Sequence, residues 1–406
     1  MSGTDSEMFD IWRKGYGPIV HREETVERML ALASSDRIDP QTLYRMLAAA
    51  DRLTSAAMWA VVHMTYAKRV DLSGVPLPAD AFKTTPEGHT GGSLNMVPAF
   101  VGYLTANAIS ATTRSWLMGQ GHCVEAVNAL TGDVSVAQTG RYDRSEKGLS
   151  QLAADFYSYK IGPDGAPAVP LGSHAGPNTA GAISEGGYLG FAEVQYVHMP
   201  LPGESLVAFL SDGAFEEQRG SDWTPRWWRA EDSGHVIPVM ILNGRRIEER
   251  VQIVQQGGAT WLADHLRLNG FDPVIVDGRD PAAFAWAILE AERRLQSFAA
   301  DAAHSYPAPV PYVIAETVKG FGFPGAGTNA AHNLPLGGNP AQDEVARNAF
   351  NDAARTLFVP PDEIEQAVAA IAVHGKQGRA SESRHPLALR RPPAPVLPEP
   401  DWTVAG

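Results

Sequence analysis

Hydrophobic positions along the chain fall into two patterns. Over residues 23–70 apolar side chains recur at helical spacing, and Asp39-Pro40 opens a second helix there, with Asp39 as N-cap and Pro40 in the first turn. That helix runs through Leu43, Met46, Leu47 and Leu53 and continues as an apolar stretch over 56–66. Residues 96–109 read as a buried helix, 260–268 and 281–295 as further helices, and 363–373 as a last amphipathic one. Between them stand short apolar runs over 115–118, 206–210, 236–242, 274–277 and 310–315. Runs of that length, bounded by glycine and polar residues, are the mark of strands buried on both faces. Strands alternating with helices predict an α/β fold: a doubly wound, mostly parallel sheet with helices on both faces. The expected organisation is a helical extension over 1–75, the α/β domain over 76–380 and a linker over 381–406. Six prolines between Pro386 and Pro400 exclude helix and central strand from that linker.

Two of the apolar runs end in the same way. Residues 206–210 stop at Ser211-Asp212-Gly213, and 236–242 stop at Asn243-Gly244. In an open parallel sheet, ligands sit beyond the carboxyl ends of the strands. Asp212 and Asn243, 31 positions apart, are therefore expected to project into one crevice. A carboxylate, a carboxamide oxygen and a nearby backbone carbonyl are hard ligands of the kind Mg²⁺ takes, with phosphate oxygens completing its shell. Gly213 lets backbone approach such a phosphate closely. The same dipeptides also serve as plain turns, and at this point both readings stand.

Four histidines lie among small residues at expected loop or strand-end positions: His89, His122, His174 and His332. An imidazole among glycines has little core to occupy, and it can steady a phosphate or an oxygen gaining charge near neutral pH. His21, His63, His265 and His304 stand in helical or surface contexts and read as structural. Composition narrows the partners. Apolar residues make up 44% and the net charge is −13, which fits a globular protein and argues against nucleic acid or an anionic membrane surface. A phosphorylated ligand then needs local positive charge or a metal. The single cysteine, Cys123, excludes an internal disulfide and suits a cytoplasmic setting. The acidic start is unlike a signal peptide, and no 18-residue apolar run is present to span a membrane.

Taken in order, these motifs resemble the amino-terminal half of the phosphoketolases, thiamine diphosphate enzymes related to transketolase. The likeness rests on Gly88-His89-Thr90-Gly91-Gly92, Gly119-Gln120-Gly121-His122, Ser173-His174-Ala175-Gly176-Pro177, Glu185-Gly186-Gly187, Asp212-Gly213, Leu242-Asn243-Gly244, Lys319-Gly320-Phe321 and His332-Asn333-Leu334-Pro335. The resemblance implies Mg²⁺ held by Asp212, Asn243 and the carbonyl of Arg245, with Gly187 and Gly213 close to the cofactor diphosphate. It implies His89, His122, His174, Lys319 and His332 facing the cofactor and a sugar or sugar-phosphate substrate. The implied reaction is two-carbon ketol cleavage or transfer from a ketose.

Departures from the family pattern accompany the likeness. Ser211 stands where the family has glycine, Ala214 where it has an acidic residue, and Ser184 where it has histidine. Residues 219–232, with Trp223, Trp227 and Trp228, are also unlike the family. The pyrimidine-binding domain that completes such an active site is expected on another polypeptide or in a missing carboxyl-terminal half. The assembly is then a dimer or heterotetramer, and the chain alone is expected to be inactive. A ketose-phosphate 3-epimerase relative and a non-catalytic regulatory subunit are the alternatives. A GxGxxG match at 320–325 suggests a dinucleotide site only weakly, because no helix is expected behind it.

Overall fold

The computed structural model describes residues 3–118, 123–132, 142–158, 160–163, 165, 204–217, 235–301, 309–371 and 389. His122, His174, Gly187, Ser184, His304, Trp223, Trp227, Trp228 and the proline-rich tail lie outside the described residues.

Among the described residues, five strands form one sheet: β1 (Ser115–Met118), β2 (Ser205–Ser211), β3 (His235–Leu242), β4 (Phe271–Asp277) and β5 (Val310–Glu316). Their order is β1-β2-β3-β5-β4 and every pairing is parallel. The expected α/β class and its parallel sheet are thus present. All seven positions of β2 are buried, as the unbroken apolar runs foretold. From β3 the chain moves two places outward to β4, then one place back to β5. Right-handed crossovers in opposite directions place their helices on opposite faces. These helices are α9 (Gly258–Leu268), which packs on β4 and β5, and α10 (Pro281–Ala300), which packs on β3, β4 and β5. No described helix is long and apolar enough to cross a membrane.

The amino-terminal part contributes α1 (Gly3–Lys14), α2 (Glu23–Ser35) and α3 (Pro40–Tyr66). As expected, Asp39 caps α3, accepting from the Thr42 amide at 2.9 Å. The carboxyl-terminal half of α3 is buried throughout and shares one hydrophobic core with the sheet. Against it lies α4 (Thr90–Ser110), buried from Thr90 to Ala108 and apolar all round, as a helix inside a larger core must be.

Here the expectation needs correcting: α4 begins at Thr90, not at residue 96. The glycine-rich stretch is not loop but the first turns of a buried helix. Its glycines admit neighbouring backbone, since a Cβ on Gly91 would stand 2.2 Å from the Ala331 carbonyl oxygen. Six described helices escaped the periodicity: α1, α5 (Val124–Thr131), α6 (Glu146–Asp155), α11 (Glu344–Leu357) and the two short helices over 212–217 and 252–256. In α11 two of the four buried positions, Ala346 and Ala354, are alanines, so its apolar stripe is faint despite helical spacing. The remaining described helices are α7 (Asp212–Glu217), α8 (Gln252–Gln256) and α12 (Pro361–Ile371).

Two of the histidines read as structural are deeply enclosed. His63 donates its Nδ1–H to the Trp59 carbonyl oxygen of α3 at 2.7 Å, and burial holds its pKa down to about 4. His21 lies between two carboxylates, with Nε2 2.9 Å from Asp51 and Nδ1 3.0 Å from Asp280. Asp280 also caps α10 by accepting from the Ala282 amide at 2.9 Å. One imidazole thus ties the segment between α1 and α2 to α3 and to the start of α10.

Candidate functional site

The register aligns the carboxyl ends of the three central strands. Ser211 pairs with Ile241, Leu242 with Glu316, and the Thr317 amide donates to the Leu242 carbonyl at 2.9 Å. The residues that follow, Asp212, Asn243 and Thr317, therefore emerge at one edge. Asp212 is 1% exposed, yet it has no ion pair among the described residues. Its Oδ1 accepts from the Gly213 amide at 2.9 Å and its Oδ2 from the Gly244 amide at 2.6 Å. The second bond joins the Asp-Gly and Asn-Gly motifs directly. Burial drives the Asp212 pKa up to about 7, against the Gly244 and Gly213 amides and the positive charge of Lys319.

Asn243 is also buried, and its Oδ1 accepts from the Arg245 amide at 3.1 Å. This side-chain turn needs φ +82° at Gly244, the left-handed region that glycine enters without a Cβ penalty. The Arg245 guanidinium donates to the Asn329 Oδ1. The Arg245 carbonyl faces inward, where Lys319 reaches it. Lys319 follows β5 and is 2% exposed. Its Nζ donates to the carbonyls of Arg245 at 3.3 Å and Arg246 at 3.1 Å, and lies 2.8 Å from the His332 Nδ1. Burial lowers its pKa to about 8, opposed by the Asp212 charge.

His332 is half-buried and kept neutral. Burial first, then the charges of Lys319 and His89, push its pKa down to about 3. An ammonium can only donate, so Nδ1 is the acceptor and the ring proton sits on Nε2. The His89 ring meets the His332 ring edge-on at 4.3 Å. His89 stands at the N-terminus of α4, its carbonyl accepting from the Ser93 amide at 3.1 Å and the Ser93 hydroxyl at 2.8 Å.

The structure therefore gathers His89, Asp212, Gly213, Asn243, Arg245, Lys319 and His332 around the ends of β2, β3 and β5. Two clefts of about 850 and 880 Å³ border α3 and α12 instead and touch none of these residues. We place the site at the strand ends because buried, perturbed ionisable groups converge there.

Sequence reasoning overlooked the brace beneath the site. Asn95, buried within α4, donates to the Val318 carbonyl at 2.8 Å, and its Oδ1 accepts from the Gly320 amide at 3.2 Å. The Thr90 hydroxyl donates to the Asn333 carbonyl. An asparagine in an otherwise apolar run was the available signal, because a buried amide needs partners. Gly91→Ala tests this packing. The new Cβ drives into the Ala331 carbonyl, and we expect a loss of about 1–3 kcal/mol in chemical denaturation. An unchanged midpoint would show that the 331–333 segment yields freely.

Comparison with known proteins adds the following. The family described as XFP N-terminal domain matches residues 41–353. A probable phosphoketolase of Bradyrhizobium diazoefficiens is 28% identical over 353 residues, covering 80% of this chain and 41% of the relative. One from Mycolicibacterium paratuberculosis is 29% identical over 309 residues, covering 70% and 37%. The chain thus spans about two fifths of the length of these curated relatives. Among solved structures, a transketolase from Campylobacter jejuni is 14% identical, with a TM-score of 0.44 over 82% of this chain and 47% of that one.

Proposed function

Because the chain belongs to the XFP N-terminal domain family, we propose that it is the diphosphate-binding half or subunit of a thiamine diphosphate- and Mg²⁺-dependent phosphoketolase- or transketolase-like enzyme. It acts on a ketose or ketose phosphate by two-carbon ketol cleavage or transfer. A pyrimidine-binding domain from another polypeptide, or from a longer version of this one, completes the active site in a dimer or heterotetramer. The setting is cytoplasmic, in keeping with a lone, buried cysteine.

The observation that carries this reading is the direct bond between Asp212 and the Gly244 amide at adjacent strand ends. The donor set fits the group. A buried carboxylate with two backbone N–H partners among the described residues retains lone pairs for a cation, and the Asn243 and Arg245 oxygens are hard ligands on the same turn. Asp212, Asn243 and the Arg245 carbonyl hold the metal in this proposal, and Gly213 and Gly187 approach the diphosphate. When bound, thiamine diphosphate supplies the nucleophilic carbon that attacks a ketose carbonyl. The neutral His332 presents Nε2–H as a hydrogen-bond donor to a substrate oxygen, with Lys319 holding that tautomer through Nδ1. His89 packs on His332 and orients it. His122 and His174 complete the substrate side.

Thermal melting of the chain with Mg²⁺ and thiamine diphosphate tests the proposal. A ligand at 100 times its Kd adds about 2.7 kcal/mol to stability, a shift of several degrees. Absence of a shift, both alone and with a pyrimidine-domain chain, would favour a non-catalytic regulatory subunit.

A further inference from the structure

The Lys319 ammonium occupies a position that the proposed metal site leaves no room to ignore. Its acceptors are the Arg245 carbonyl, the Arg246 carbonyl and the His332 Nδ1. These three use all of its N–H groups, and the Asp212 carboxylate is not among them. Lys319 thus already satisfies, with its own positive charge, the carbonyl that a divalent ion is to bind. An ion bonded to that oxygen at about 2.1 Å would lie no farther from Nζ than that length added to the 3.3 Å bond. Two cations at such spacing in a buried site repel each other strongly even at an effective dielectric constant of about 20. The carbonyl has two lone pairs and can serve both; the charges are what conflict.

We propose that Lys319 and the metal ion compete for the Arg245 carbonyl, so that Lys319 weakens metal binding until an anionic ligand arrives and gives the ammonium another partner. Lys319 is then a positioning residue that makes metal loading depend on the diphosphate. The ammonium gives up only the Arg245 carbonyl and keeps the His332 Nδ1, so the tautomer held there is unchanged. This inference rests on the metal site proposed above and concerns the order in which that site fills.

The test is Mn²⁺ affinity of the 406-residue chain, measured without any phosphate by electron paramagnetic resonance and again with thiamine diphosphate. Lys319→Met should bind Mn²⁺ alone at least tenfold more tightly than the unaltered chain. Lys319→Arg, which keeps the charge, should show no gain. Adding Asp212→Ala to Lys319→Met should abolish the tight binding, which assigns the ion to this site. A tightening cannot come from damage to the fold, since damage weakens a site. Equal or weaker binding by Lys319→Met, an equal gain by Lys319→Arg, or tight binding that survives loss of Asp212 would overturn the competition. If the unaltered chain takes up Mn²⁺ with the cofactor in the first two cases, the metal site stands and only the competition falls, whereas tight binding that survives loss of Asp212 removes both. If no variant binds Mn²⁺ even with the cofactor, the metal site itself falls and the competition with it.

Discussion

Asp212→Ala should abolish the Mg²⁺-dependent retention of thiamine diphosphate while leaving the chain folded. The side chain is the one carboxylate in the proposed ligand set, so its loss removes the charge that balances the metal. Changes outside the ligand shell of a metal already cost 10- to 100-fold in affinity, and loss of a charged ligand should exceed about 100-fold. Stability without ligand should change little, because two effects oppose each other. The Gly213 and Gly244 amides lose their acceptor, a cost of about 1–3 kcal/mol for each buried donor left unpaired. Against this, burial disfavours the charged carboxylate strongly enough to raise its pKa to about 7, and alanine relieves that strain. Circular dichroism should show an intact fold, and isothermal titration should show no cofactor uptake. Uptake equal to that of the unaltered chain would be incompatible with the proposed site.

The largest loss of stability should come from His21→Gln. Removing one member of a buried ionic group leaves the others uncompensated, typically at a cost of about 3–5 kcal/mol. Here Asp51 and Asp280 would face each other without the imidazolium between them. The imidazole fills the space between the carboxylates, one ring nitrogen to each, so a proton rather than a metal holds this cluster together. Burial alone would lower the His21 pKa, but the bonds to Asp280 and Asp51 outweigh it and raise the value to about 10. The sign follows from linkage. A group that holds its proton more tightly when folded adds stability fully below its unfolded pKa of about 6.5 and loses that contribution as pH rises toward 10. The unaltered chain should therefore lose stability from pH 7 to 10, by at most about 1.4 kcal/mol per unit from this group. Asp51, pushed up to about 7 by burial, adds a fall in the same direction between about pH 4 and pH 7, below that window. His21→Gln should melt lower at pH 7 and lose less as pH rises. Parallel pH profiles for the two proteins would show that His21 carries no linked proton.

Legibility followed the range of the interactions. Asp212 and Asn243 stood out because each ends an apolar run beside glycine, a pattern contained within a few residues. His89 and His332 were marked by the small residues around them, and Lys319 by the family resemblance alone. The roles of Asn95 and Gly91 were not, since each depends on contact with the 318–331 segment, more than 200 positions away. His21 was read correctly as structural but without its partners, which lie 30 and 259 positions along the chain.

Local pattern by itself determined that the five strands of the described residues exist, that they alternate with helices, and which polar residues stand at their tips. Those are consequences of side-chain period and of glycine's backbone freedom, both written within one element. Strand order was decided only in three dimensions. β5 lies between β3 and β4, and that neighbour brings Lys319 against the carbonyls of Arg245 and Arg246. Crossover helices packing on either face set such an order, and a periodicity of two or of 3.6 residues carries no record of which strand becomes whose neighbour.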